Sequence, residues 1–581
     1  MSAYPVLLTR PLLAGFAAGV LISLGACSAA NPDAPATEAG SPQLSDQSHQ
    51  RERAELHKQL AAPAELQRKS QVAGRAMLPS VAYAPMPMSV QADALPQGYR
   101  DQNREQYQKL AGNPVHAVAE TPVSTFSIDV DTGSYANVRR FLNGGQLPPQ
   151  DAVRLEELVN YFPYAYPLPK GDVPFGVHTE LAATPWNPES RLLRISIKAS
   201  DLRVEELPPA NLVFLVDVSG SMDRRDGLPM VQSTLKLLVE QLRAQDKVSL
   251  VVYAGSSSVV LEPTAGSEKA KIRAAIDQLT AGGSTAGESG IQLAYQQAQQ
   301  GFIEGGINRI LLATDGDFNV GISDFETLKQ LAVDKRKTGV SLTTLGFGTD
   351  NYNEQLMEQL ADAGDGNYVY IDNLREARKV LVDQLSSTLA TVASDVKIQV
   401  EFNPAEVSEY RLLGYENRAL KREDFSNDKV DAGEIGAGHT VTALYEVVPV
   451  GGKGWLEPLR YQAAPKAQGK AGELAWLRIR YKALGKNVSK LLEQPIQAAD
   501  VPAISLASED LRFAAAVAAF AQQLKGDTYT GRFGLADSAE LARNAKGDDR
   551  FGLRGEFVQL VELAQSLQTA SNPSTTARVQ Q

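Results

Sequence analysis

Between Asn211 and about Leu389 the chain alternates short apolar runs with amphipathic stretches. NLVFLVD (211–217), VSLVVY (248–253), RILLATD (309–315), VSLTTLGFG (340–348) and NYVYI (367–371) are almost continuously apolar or β-branched. Runs of that kind predict strands buried on both faces. Between them, Met230 to Leu242 and Phe325 to Lys337 place apolar residues at helical spacing. The alternation predicts an α/β domain over 206–392: a mostly parallel, Rossmann-like sheet with helices on both faces.

The flanks read differently. On the N-terminal side, 99–205 mixes strands (Ser124 to Val130, Leu192 to Ile197) with helices around Tyr135 to Leu142 and Ala152 to Tyr161, predicting a small α+β region. After Ser394 the pattern becomes period two over longer segments, VKIQVEF (396–402), HTVTALYEVV (439–448) and AWLRIRYKA (475–483). These predict a β-rich C-terminal domain over 393–581, closed by helices at Glu509 to Leu524 and Gly555 to Leu567. The alanine-rich stripe Phe513 to Phe520 is expected to be a buried packing face. Residues 28–98, rich in Ala, Pro, Ser and Gln, read as a tether with a reach of about 45 Å; Pro63 interrupts their one helical stretch.

Composition refines this in two places. The 581 residues carry a net charge of −11 with no clustered Lys/Arg, which argues against nucleic acid as the partner. The single cysteine, Cys27, excludes an internal disulfide and a Cys-based zinc cluster. It follows an uncharged stretch from Pro11 to Ala26, too short to span a bilayer comfortably, so residues 1–26 read as a signal peptide. Leu24-Gly25-Ala26-Cys27 resembles the bacterial lipobox, which implies lipidation of Cys27 after cleavage, and several acyl chains together give a stable membrane anchor. Ser28, where Asp would resemble an inner-membrane retention signal, points to the outer membrane facing the periplasm.

The chemistry concentrates in three loops at strand ends, where open α/β sheets bind ligands. Asp217-Val218-Ser219-Gly220-Ser221 follows NLVFLVD; Gly282-Gly283-Ser284-Thr285 forms a second loop; Thr314-Asp315-Gly316 ends RILLAT. Two carboxylates and three hydroxyls suit a hard cation, Mg²⁺ or Mn²⁺, rather than zinc. The set resembles the metal-ion-dependent adhesion site of von Willebrand factor A (VWA) domains: Ser219, Ser221 and Thr285 match its hydroxyl ligands, and Asp217 and Asp315 its carboxylates. STFSIDVDTGSYANVRRFL, PWNPES and DAGEIGAGHTVTALYEV are similar to the flanking regions of YfbK-like bacterial lipoproteins. The resemblance implies a binding module rather than an enzyme, in which a protein partner's acidic side chain completes the metal shell. Two alternatives are an assembly or chaperone component working with an ATPase, and a hydrolase whose chemistry lies in the C-terminal domain.

Other signals carry less. Asp131-Thr132-Gly133-Ser134 resembles an aspartic-protease loop but has no second copy, so it is expected to be a turn and helix cap. Asp315-x-Asp317-x-Asn319 has the start of a calcium loop, with Val320 where the sharp turn needs glycine. His49, His57, His116, His178 and His439 show no metal-ligand spacing.

Overall fold

The computed structural model describes residues 105–571 except 129–130, 172, 286, 317–324, 350–351, 431, 458, 462–469, 471, 487 and 499–500. The signal peptide, Cys27, the tether and the remainder of the apparent calcium loop lie outside the described residues. The chain divides into Met1–Leu95 and Pro96–Gln581, and all that follows concerns the second unit.

The N-terminal flank supplies β1 (His116–Ala117), β2 (Val123–Ser127), helices α1 (Gly133–Asn143) and α2 (Leu155–Asn160), β3 (Phe175–Thr184) and β4 (Asn187–Ala199). The central region runs through β5 (Ala210–Asp217), α3 (Leu228–Gln241), β6 (Lys247–Tyr253), β7 (Ser257–Ala265), α4 (Lys269–Asp277), α5 (Gly287–Gln300), β8 (Ile307–Thr314), α6 (Phe325–Arg336), β9 (Ser341–Gly346), α7 (Glu354–Ala363) and β10 (Tyr368–Tyr370). It ends in α8 (Leu374–Arg378), a π-helical turn (Lys379–Asp383) and α9 (Leu385–Leu389). The C-terminal flank contributes β11 (Thr391–Phe402), β12 (Val407–Leu413), β13 (Gly433–Gly436), β14 (Thr440–Pro449), β15 (Glu473–Ala483), β16 (Ser489–Gln497) and helices α10 (Glu509–Lys525), α11 (Leu535–Arg543) and α12 (Leu553–Ser571).

The central sheet has the order β10-β9-β8-β5-β6-β7, parallel except for β7. All eight residues of β5 are buried, the pattern that layers of helix on both faces impose on a middle strand. One face packs on α3, α4 and the closing helices through Leu212, Phe214, Leu235 and Leu385, and the other on α5 to α7 through Val213, Leu215, Ile291 and Leu360. The α/β expectation for this region holds.

The flanks, drawn as two regions in the sequence, are one structure. Their first sheet has the order β1-β12-β14-β4-β3, and in the second β2 pairs with β11 beside β13, β15 and β16, so each contains strands from both sides of the central region. The two sheets share one core, with Leu193, Ile195, Tyr410 and Tyr445 from the first against Val400, Phe402, Leu477 and Ile479 from the second. Period-two patterning marks which face of a strand is buried, not which strand it joins, and the strands of the α+β and β-rich flanks pair into shared sheets.

The helices follow the same logic. Helix α10 starts at Ser508, whose hydroxyl accepts from Leu511 N at 3.1 Å, carries Glu509 and Asp510 in its first turn, and stops at Gly526 with φ 74°. Phe513 to Ala521 are all buried, as the stripe predicted, and Phe513 meets Phe162 at 4.8 Å between ring centroids. The predicted helix from Ala152 to Tyr161 begins only at Leu155. Ser134 Oγ donates to Ala152 O at 2.7 Å and accepts from Arg154 N at 2.8 Å, holding Arg154 extended. In the Asp131 loop, Thr132 makes no side-chain cap; Asp131 instead accepts from Tyr368 N at 2.8 Å and pairs with Arg418 at 3.1 Å.

One buried cation ties the three parts together. Arg139 of α1, fully enclosed, donates to Asp372 (2.8 Å), Glu376 (2.8 Å) and Glu556 (3.2 Å), and to the Tyr161 hydroxyl at 2.8 Å. Among the described residues no helix is long and apolar enough to cross a membrane.

Candidate functional site

Strand β5 ends at Asp217, and that carboxylate organises the sheet edge. Its Oδ1 accepts from Ser219 N at 2.9 Å, turning the chain sharply, and its Oδ2 accepts from Thr314 Oγ1 at 2.9 Å on the neighbouring strand β8. Thr314 Oγ1 also accepts from Gly316 N at 3.1 Å, folding the next loop back toward β5. Gly316 has φ +79°, and a Cβ there would come within 2.9 Å of Asn353 N, so the tight turn after Asp315 requires glycine.

The second loop is stitched to the first by main-chain bonds. Gly220 N donates to Gly283 O at 3.0 Å and Gly282 N to Val218 O at 2.7 Å, which sets the segment carrying Thr285 against the one carrying Ser219 and Ser221. Ser219 Oγ and Ser221 Oγ lie 3.1 Å apart. Asp217, Ser219, Thr285 and Asp315 are buried and Ser221 is half-buried. The structure thus joins Asp217, Ser219 and Ser221 directly, brings the Thr285 loop against them, and carries Asp315 on the adjacent strand end.

Electrostatically the site holds an excess of negative charge. Burial raises the Asp217 carboxyl to about 6, with the charge of Asp315 adding to the effect against the hydrogen bonds from Ser219 and Thr314. Burial, and then the charge of Asp217, pushes the nearby Tyr253 phenol well above its ordinary value. Arg224 Nη2 stands 3.6 Å from Asp315 Oδ2, beyond hydrogen-bonding distance. Asp217 is therefore not the surface-facing residue that its place at a strand end predicts; the loops fold over it.

Sequence reasoning missed Thr314 and Arg224. Thr314 could have been found, since it precedes Asp315 at the end of a strand adjacent to β5. Arg224 belongs to an irregular loop and leaves no periodic signal. Among the described residues no three His, Cys, Asp or Glu side chains gather as a metal cluster; two aspartates with three hydroxyls form a different donor set.

A mostly parallel sheet with one antiparallel edge, helices on both faces and aspartates at the ends of β5 and β8, has the architecture of a von Willebrand factor A domain. The model of the von Willebrand factor type A domain matches residues 211–384, a second described as von Willebrand factor matches 101–194, and that of the YfbK C-terminal region matches 387–567. The chain belongs to the YfbK family: it is 52% identical over 467 residues to the uncharacterized protein YfbK of Escherichia coli strain K12, covering 79% of this chain and 80% of that one. It is also 34% identical over 188 residues to an uncharacterized Synechocystis protein, covering 32% of this chain and 43% of the other. Among solved structures, a von Willebrand factor type A protein from Catenulispora acidiphila aligns with 65% of this chain and 88% of its own at 16% identity and a TM-score of 0.39.

Proposed function

We propose that the protein is a binding module rather than an enzyme, gripping a protein partner through a divalent cation held at the carboxyl edge of its VWA sheet. The observation that carries this reading is the pair of buried aspartates, Asp217 and Asp315, each in the other's field beside two hydroxyls 3.1 Å apart. An all-oxygen set with surplus negative charge fits Mg²⁺ or Mn²⁺. Ser219, Ser221 and Thr285 with the two aspartates would hold the ion, which, when bound, supplies an open coordination position for an outside carboxylate.

The chain's own residues do the positioning. Asp217 orders Ser219 through the main chain, and Thr314 fixes the Asp217 carboxylate; the two bonds between the loops keep Thr285 alongside. The partner then contributes an acidic side chain. Lipidation at Cys27 would tether the module to the outer membrane, facing the periplasm, with the segment at 27–98 giving it reach.

Capture of envelope proteins by crosslinking, with Mg²⁺ or with EDTA, tests the reading. Specific partners should be retained only with the ion and lost in Asp217→Ala. Equal capture by both proteins under both conditions would overturn it. Anchoring is tested by Cys27→Ser, which should move the protein from the membrane to the soluble periplasmic fraction.

A further inference from the structure

A second concavity, sharing no residue with the metal-site candidates, opens where the closing turn of the VWA domain meets β4, the start of β14 and the helical tail. It measures about 480 Å³, within the size range of small-molecule sites. Its charged part holds more cations than acids: Lys198 at the end of β4, Lys379 in the π-helical turn, Arg375 and Arg378 stand in the wall with Asp201 and Asp383, and His439 before β14 lies among them. Phe162, Tyr164, Leu202, Phe551 and Leu553 make its apolar part. π-helical turns, which displace one residue from the helical register, occur often at functional sites.

Each of these cations has an acid beside it, Arg375 pairing with Glu556 at 3.3 Å. Lys198 pairs with Asp201 at 3.1 Å, Lys379 with Glu376 at 3.1 Å, and Arg378 with Asp383 at 4.0 Å. Yet the His439 ring is held down to about 4 by burial and by the charges of Lys379 and Lys198, with no carboxylate opposing them. The ring is therefore neutral at pH 7. Its Nδ1 is buried without a hydrogen-bond partner, a costly state for a polar atom. An anion seated in the cavity would meet Lys198 and Lys379 on the wall that also carries the His439 ring.

We propose that this cavity binds a small organic anion, a carboxylate or phosphate carried on an apolar body. The charged end lies against Lys198, Lys379 and His439, and the body against the aromatic wall. A bare inorganic ion would leave most of the volume and the apolar lining unused.

Fluorescence titration of the full chain with 1-anilinonaphthalene-8-sulfonate and with N-phenyl-1-naphthylamine, the same aromatic body without the acid group, tests the site. The sulfonate should bind one saturable site at least tenfold more tightly than the neutral probe. Lys198→Met should weaken it about tenfold, and Arg378→Glu, a change at an exposed side chain, severalfold. Should Lys198→Met fail to fold, Arg378→Glu decides. Phenyl phosphate and a lysophosphatidate then serve as displacers: displacement by the first marks a soluble ligand, by the second alone a lipid. Equal affinity for the two probes, sulfonate binding unchanged in a folded variant, or displacement by neither phosphate would overturn the proposal.

Discussion

Two buried charge clusters lie at opposite extremes of balance. Around Arg139 one guanidinium meets Asp372, Glu376 and Glu556 in direct bonds, with a tyrosine hydroxyl closing the shell and Lys379 adding a second cation to Glu376. At the edge of the VWA sheet two aspartates are buried together, with Arg224 3.6 Å from one of them. The first cluster spends its charges on joining α1, the end of the VWA domain and α12. The second retains a field that an added cation would satisfy. Burial of charge alone thus does not mark a site; the imbalance does.

The contrast can be broken from either side. Arg139→Met leaves Asp372, Glu376 and Glu556 without their shared cation and should cost about 3–5 kcal/mol, measured by urea denaturation. A loss below 1 kcal/mol would mean that the carboxylates repartner and that the cluster is not the joint described. The aspartate pair should respond to added ion: Mg²⁺ at a hundred times its dissociation constant should stabilise the wild type by about 2.7 kcal/mol, and Asp217→Ala should abolish the gain. A melting temperature indifferent to Mg²⁺ and Mn²⁺ would remove the ion from this edge.

His439 offers a third case, a ring kept neutral by burial and by the charges of Lys379 and Lys198. The unfolded ring takes up a proton near pH 6.5 and the folded one only near 4, so stability present at pH 7 is lost as the pH falls through that window. Between pH 7 and pH 5 the ring should account for about 2 kcal/mol of lost stability, read as the difference between wild type and His439→Phe. Parallel pH profiles for the two proteins would show that the ring is not held neutral. The smallest effect has the opposite sign to that of Arg139→Met. Because burial lifts the folded carboxyl of Asp217 to about 6, stability is lost as the pH rises from the ordinary carboxylate value to about 6, and the loss is complete at pH 7. Asp217→Asn should therefore raise metal-free stability at pH 7 by about 1 kcal/mol, checked by thermal melts in EDTA, while removing the response to Mg²⁺.

Legibility from sequence followed the range of the interactions. The strands of the VWA sheet were readable because burial on both faces leaves apolar runs, and the three site loops because each begins at such a run. Burial of Asp217 was not readable, since the covering bonds run between loops far apart in sequence, Gly220 to Gly283 and Thr314 to Asp217. Nor was the pairing of β4 with β14, because Leu192 to Ile197 and HTVTALYEVV announce a strand and its inner face but no neighbour. The shortened α2 shows the same limit at close range, where one hydroxyl, Ser134, replaces the main-chain partners that helix periodicity leads one to expect.

The composite sheets have a consequence for the order in which the molecule is made. Strand β4 needs β14 as its neighbour, and β2 needs β11, so the first flank emerges from the ribosome long before its partners exist. The six strands of the VWA sheet pair only with one another, so that sheet has no such wait. During synthesis, Leu193, Ile195 and Ile197 of β4 remain without their full core until the second flank arrives. Contacts so distant along the chain form slowly and leave strand edges open to other chains. Truncation after residue 392 would make that delay permanent, leaving the first flank's strands to seek pairing between molecules.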